Sequence, residues 1–302
     1  MSSWGSSVNF SNADLKESDF TNATMIFDER GYSVWTSVNM SNSDLRGAKF
    51  DNVILGGENT AVVFAKSNLQ NVSFKNVTFS KLNNFSYADL RGGDLTGATV
   101  AGKTLNTIWT DGEIKNFSLN DDDYLSIRKY VPATAGGTTI NAKIVEDATI
   151  SGGAVLTLEE GAVLEISAGK TLTVSDDGEI VFDVDAAADD TNIILNSGSK
   201  LVFGDNSKLT INLTGEVSET DPLHFTVIKA ADDSYVLGLD TLPKDNIVLN
   251  VNGTEYDSSK WGINFDPTTG NLDISVNVPE PASIATIFAV LALGFAAYRR
   301  RK

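Results

Sequence analysis

Ser43-Asp44-Leu45-Arg46-Gly47-Ala48-Lys49-Phe50 and, further on, Ala88-Asp89-Leu90-Arg91-Gly92-Gly93-Asp94-Leu95-Thr96-Gly97 repeat one plan every five residues. Outward from them the same count places large apolar residues at Phe10, Leu15, Phe20 and Met25, then at Met40, Leu45, Phe50 and Leu55. It continues at Phe64, Leu69, Phe74 and Phe79 and, after a one-residue slip, at Phe85, Leu90, Leu95, Val100 and Leu105. Two positions before these sit mostly small residues, among them Ala13, Ser18, Ala23, Ser43, Ala48, Ser67, Ala88, Gly93 and Ala98. A period of five fits neither the two of a strand nor the 3.6 of a helix. Self-similarity at a fixed period predicts a solenoid, in which each coil buries one face on the next.

The Ser43–Gly47 and Gly93–Gly97 pieces resemble the pentapeptide-repeat family. The resemblance implies that four pentapeptides make one roughly square coil of a right-handed β-helix. The Leu or Phe would stack inside, and the small residue two earlier would fill the rest of the interior. It covers residues 8 to 105, within a unit expected over 1–110, and the departures at Ile26 to Ser37 and Gly56 to Ala61 read as loops, or as coils with insertions. Some members of that family are acidic mimics of DNA. This chain shares the acidity, but a mimic would have to act in the cytoplasm, where the C-terminal segment described below does not place it.

Asp121-Asp122-Asp123 and the turn cluster Pro132-Ala133-Thr134-Ala135-Gly136-Gly137 predict a linker over 111–137. Beyond it, Gly153, Gly161, Gly169 and Gly178 head short alternating stretches at 154–158, 162–166, 171–174 and 179–182. Two more follow at 200–203 and 208–211. Period-two alternation between turn residues predicts strands. Their even spacing predicts a second β-solenoid over 138–219, with a β-sandwich as the competing architecture. Residues 220–277 stay β-rich, with hairpin signals at Asn252-Gly253 and Thr269-Gly270-Asn271, and read as a module that caps the solenoid edge. The expected fold is all-β, followed by one C-terminal transmembrane helix.

That helix belongs to the segment 278–302. Val278-Pro279-Glu280-Pro281 opens it, and no charge follows until Arg299. Ile284, Ile287, Phe288, Val290, Leu291, Leu293 and Phe295 dominate the apolar run, Tyr298 suits the interface, and Arg299, Arg300, Arg301 and Lys302 form a basic stop. At ~1.5 Å per residue the run from Pro281 to Tyr298 reaches about 27 Å, close to a bilayer core of roughly 30 Å. The three parts, in order, resemble the PEP-CTERM sorting signal of Gram-negative and related bacteria. The resemblance implies processing at or near Pro-Glu-Pro by an exosortase, a membrane-embedded cysteine transpeptidase. It also implies membrane attachment through the C-terminal helix during sorting, then delivery to the cell surface or the extracellular matrix. Met1 to Ser7 shows neither a basic nor an apolar leader region, so the secretion signal such delivery needs is expected upstream.

Composition narrows the chemistry. A formal net charge of −17 opposes binding to nucleic acid. With no cysteine there is no disulfide, no thiolate metal site and no cysteine nucleophile. One histidine, His224, rules out a multi-histidine metal centre, and its place among Leu223, Phe225 and Thr226 reads as structural. The acidic pairs Asp176-Asp177, Asp189-Asp190 and Asp232-Asp233 all sit at turn-like places, and the Asp121–Asp123 run reads as a solvated turn rather than a calcium site. No catalytic, cofactor or metal residues are assigned. The expected role is a non-enzymatic surface or matrix protein, with polysaccharide as a candidate ligand. A polysaccharide-active β-helix enzyme is the alternative.

Overall fold

The computed structural model describes residues 7–25, 36–55, 60–188, 191–216, 223–257, 259–265 and 272–276. Among them there is no α-helix, only strands, turns and two short 3-10 turns at Leu239–Thr241 and Lys244–Asn246.

The five-residue count produces a stack of coils. Its longer strands, β1 (Ser7–Asn9), β3 (Thr36–Asn39) and β5 (Thr60–Val63), pair in parallel in the order β1-β3-β5. Beside them β2 (Thr24–Met25) pairs with β4 (Ile54–Leu55). The other sides meet through single parallel bridges, such as Asp44 to Asn68 and Asn68 to Asp89. Val38 lies over Val62, Val63 over Asn84 and Asn84 over Lys103, so successive coils advance by 24, 21 and 19 residues.

Leu45, Leu69 and Leu90 face inward with Ser43, Ser67 and Ala88, and all six are buried. Stacked at the coil spacing, the phenylalanines form ladders: Phe20 to Phe50 at 4.8 Å, Phe50 to Phe74 at 5.1 Å and Phe64 to Phe85 at 5.2 Å between ring centres. Parallel strands lie about 4.8 Å apart, so each ring lands on the one in the next coil at an attractive distance.

The corners explain the abundant Asn. Asn12, Asn22, Asn42, Asn52, Asn71 and Asn76 all hold positive φ between 55 and 61. Asn tolerates this left-handed conformation better than most residues. Asp or Asn earlier in each side accepts the N–H two residues on, as Asp94 Oδ1 does from Thr96 at 2.9 Å and Asn84 Oδ1 from Ser86 at 2.9 Å.

The second stack has three faces. Its first coil holds β6 (Glu113–Ile114), β7 (Ser118–Leu119) and β8 (Tyr124–Ile127). The next two coils hold β9 (Ala142–Ile144), β10 (Ala148–Ile150) and β11 (Val155–Leu158), then β12 (Leu164–Ile166), β13 (Thr171–Val174) and β14 (Glu179–Asp185). A fourth holds β15 (Ile193–Leu195), β16 (Lys200–Phe203) and β17 (Lys208–Thr214). A fifth holds β18 (Leu223–Ala230), β19 (Tyr235–Leu237) and β20 (Ile247–Val251). The three sheets run parallel in the orders β18-β15-β12-β9-β6, β19-β16-β13-β10-β7 and β20-β17-β14-β11-β8.

Alternation sends Leu156, Leu158, Ile180, Phe182, Leu209 and Ile211 into a dry interior. Each such side chain contributes roughly 1.5–3 kcal/mol. At the far end β21 (Thr254–Glu255) turns back antiparallel onto β20 through Asn252-Gly253, whose φ values of 50 and 79 suit a tight hairpin. Finally β23 (Leu272–Val276) pairs antiparallel with β18 and β22 (Trp261–Phe265) pairs antiparallel with β23, and this closes the stack.

Parallel stacking through all three sheets replaces the sandwich alternative. The expected linker also changes. Residues 113–127 supply the three strands of the first triangular coil. Asp121 and Asp122 form a left-handed corner of the kind glycine or Asx residues adopt, with Gly152 and Gly153 beneath and Asp176 beneath those. The acidic run is therefore a corner of the solenoid. Of the two readings of the departures, coils with insertions fits Thr36, Ser37, Thr60 and Ala61, which are strand residues of stacked coils. Parallel stacking reaches Val251, past the expected start of the cap at 220, and β21 to β23 then run antiparallel. Leu105 is 50% exposed, because the coil shortens to 19 residues and carries its side chain outward. Thr269-Gly270-Asn271 lies outside the described residues.

Candidate functional site

The two stacks meet at a seam where the chain reverses. Leu90 N–H donates to Ile108 O at 2.8 Å and Tyr87 N–H to Leu105 O at 2.8 Å, which continues the first stack. The turn Trp109–Gly112 then folds the chain back, and Ile108 faces Ile114 in an antiparallel bridge. Asn106 locks this reversal, as its side chain both accepts from Ser118 N–H at 3.0 Å and donates to Ser118 O at 2.7 Å. The cores divide here: Val38 to Leu90 form one cluster, and Ile108 to Ile274 the other.

A strap, residues 128–141, crosses back over one side of the first stack. Arg91 anchors it. Its Nε donates to Asp89 Oδ1 at 2.9 Å, and its Nη2 donates to Asp89 Oδ2 at 2.6 Å and to Arg128 O at 2.6 Å. Its Nη1 donates to Ile140 O at 3.2 Å. The guanidinium lies 5.6 Å from the Tyr130 ring. Gln70 donates to Asp89 at 2.8 Å and to Lys129 O at 3.1 Å, and Asn71 donates to Val131 O at 2.8 Å. At Gly92, with φ +70, a Cβ would collide with the Tyr130 hydroxyl and Asn71. The turn glycine is thus also the floor on which Tyr130 lies.

The strap covers the Asp89–Gly92 side and leaves the next sides bare. Leu95 and Val100, inward by the five-residue count, are only partly buried. Beside the seam opens a groove of about 710 Å³ lined by Ser86, Lys103, Thr104, Leu105, Trp109, Lys115 and Asn116. Trp109 is half-buried, while Lys103, Leu105, Lys115 and Asn116 are exposed. Lys103 and Lys115 are the ionisable side chains that line it, and Glu113 on the rim lies 3.7 Å from Lys115 Nζ. Tyr87 and Lys66 stand beside Ser86 in corner positions with φ of 62 and 61, and Lys66 Nζ sits 5.6 Å over the Tyr87 ring. Burial above all, then the hydrogen bond and charge of Asp123, holds the Tyr87 phenol above its usual pKa. The sequence reading missed this groove. Its trace was the break in the five-residue count between Leu105 and Trp109, with a lysine on each side.

Elsewhere the outer faces are dominated by acids held in turns. Asp94 is lowered to about 2, first by its hydrogen bonds to Thr96 and then by Lys75. Asp19, Asp233 and Asp257 are lowered by hydrogen bonds from Thr21, Ser197 and Gly198, and Ser259. Among the described residues no group of three or more His, Asp or Glu side chains is placed to hold a metal ion. His224 lies in β18, paired with Ser275.

Comparison with known families decides the first stack. The model for pentapeptide repeats matches residues 6–27 and 60–98, in eight copies. The N-terminal solenoid carries pentapeptide repeats. Residues 36–55 of this pentapeptide solenoid fall outside the match, yet their coil stacks between the matched ones through the same bridges and Phe ladder. No curated protein and no solved structure gives a significant match to the chain. Val278 to Pro281, the apolar run to Tyr298 and the basic stop Arg299–Lys302 lie outside the described residues. Among the described residues no helix is long and apolar enough to cross a membrane.

Proposed function

We propose that this chain is an exported bacterial surface or extracellular-matrix scaffold without enzymatic activity, sorted by an exosortase through its C-terminal Pro-Glu-Pro signal. One observation carries the reading: the stacked body is closed by β21 to β23 at Val276, and the three-part sequence 278–302 begins two residues later. A body covered at its C-terminal end, followed by an apolar run and four cations, has the layout of cargo plus a removable address. Repetitive packing supports the scaffold role, since each coil supports the next without disulfides. The acid-rich faces suit a solvated surface protein.

The test is processing. Expressed with a secretion signal in a host that has an exosortase, the chain is expected to be cleaved at or near Pro279–Pro281, read by mass spectrometry of the new C-terminus. The Pro279→Ala and Pro281→Ala double variant is expected to stay uncleaved. Equal cleavage of both, or none of either, contradicts the sorting reading.

A further inference from the structure

We propose that the groove at the seam binds an anionic polysaccharide of the uronic-acid class. The ligand class deepens the matrix reading above, while the site rests on its own geometry.

The lining combines three kinds of group. Trp109, half-buried in its turn, and the exposed Leu105 supply an apolar floor for the C–H face of a pyranose ring. Ser86, Thr104 and Asn116 supply donors and acceptors for ring hydroxyls. Lys103 and Lys115 supply positive charge in a chain whose formal net charge is −17. Among the described residues Lys103 has no carboxylate within 4.0 Å, so its charge is not committed to an ion pair. A volume of about 710 Å³ lies in the range of ligand sites, roughly 300–1,000 Å³.

The backbone beside the groove points the same way. The corner column of the first stack uses Asn12 and Asn42, then Lys66 and Tyr87, then Asn106. Residues other than Gly, Asn and Asp in this conformation cost about 1 kcal/mol or more, and such strain gathers at functional sites. Among the described residues Glu17, Lys66 and Tyr87 hold it, and the latter two stand in this column, Tyr87 next to the groove residue Ser86 with Lys66 Nζ 5.6 Å over its ring.

The charge density of the ligand follows from the rest of the body. A nucleic acid duplex, with one charge per ~1.7 Å, would be repelled by a chain of formal net charge −17. A uronate polymer carries one carboxylate per sugar and presents C–H faces between them. This suits separated lysines around one aromatic platform.

The experiment uses the full chain in detergent micelles and follows tryptophan fluorescence during titration with a short oligogalacturonate, against a neutral maltooligosaccharide of equal length and a polyphosphate. The uronate is expected to bind, and added salt to weaken it. Lys103→Glu and Lys115→Glu are each expected to weaken it about tenfold with an unchanged melting midpoint, while Lys103→Arg retains it. Absence of uronate binding, equal binding of the neutral sugar, tighter binding of polyphosphate, or indifference to both charge reversals overturns the proposal. Release of new reducing ends would contradict the non-enzymatic reading and leave the binding result standing. Loss of the sorting reading would likewise leave this titration untouched.

Discussion

Arg91 and Asp89 form an ion pair with Nη2 to Oδ2 at 2.6 Å and both side chains 1% exposed. Arg46 and Asp44, the same Asp-Leu-Arg step two coils earlier in the same column, make their pair at 2.7 Å with the side chains 36% and 28% exposed. Local sequence builds both pairs alike. The strap makes the difference: it lies over one and not the other, and it adds the carbonyls of Arg128 and Ile140 as further acceptors for Arg91.

That contrast sets the first prediction. Arg91→Ala leaves Asp89 buried without its cation and frees the strap, so it is expected to cost about 3–5 kcal/mol. Arg46→Ala is expected to cost about 1 kcal/mol or less, because an exposed pair is screened by water. Urea unfolding of both variants measures the difference. Amide exchange over 128–141 is expected to speed up in the first variant only.

The Phe ladder gives a second. Phe74 touches Phe50, Phe64, Phe79 and Phe85, and is 1% exposed. Phe74→Ala is expected to cost about 3–5 kcal/mol. The two cores are separate clusters, so calorimetry is expected to show the pentapeptide stack melting early while the triangular stack keeps its transition. A single transition shifted as a whole would show tighter coupling across the seam.

Gly92 gives a third. Gly92→Ala combines a strained positive φ with a collision against Tyr130 and Asn71. It is expected to destabilise by more than the ~1 kcal/mol of the conformational effect alone. Gly169→Ala, with a φ of +68 and open space around it, isolates that effect. Equal losses would place Tyr130 away from the turn.

Acid provides a fourth. Asp94, Asp44, Asp19, Asp233 and Asp257 all have folded-state pKa values below the 3.8 of a free carboxyl, Asp94 at about 2. For Asp44 the hydrogen bonds and charge of Arg46 outweigh burial. A lowered carboxyl stabilises the folded state while ionised. That contribution is complete above 3.8 and is lost as pH falls through the folded values. The melting midpoint is expected to drop between pH 4 and about 2, and Asp94→Asn to flatten part of the drop. These carboxyls are largely solvated, so each effect is small.

Much of this was written locally. Leu45, Phe50, Leu69, Phe74 and Leu90 are core residues because the five-residue period makes them so, and the strands at 155–158, 171–174 and 208–214 follow from plain alternation. Contacts between distant segments carry no such mark. Gln70, Arg91 and Tyr130 meet only because the strap crosses back, and Tyr130 reads in sequence as one residue of a linker. The groove was hidden for a related reason: Leu105 keeps the five-residue count but turns outward where the coil shortens. The start of the second stack was placed too late, at 138 instead of 113, because Asp121-Asp122-Asp123 looks like a loop, whereas left-handed corners of a solenoid call for the same residues.

The most direct test of the central claim is where the protein goes without its tail. With a secretion signal supplied, the full chain and the chain lacking Val278 to Lys302 are expressed in an exosortase-bearing host and followed by cell fractionation, with far-UV circular dichroism as a check on the body. The full chain is expected to reach the surface or matrix. The shortened one is expected to keep the same β spectrum but fail to be retained there. Identical delivery of the two would contradict the account.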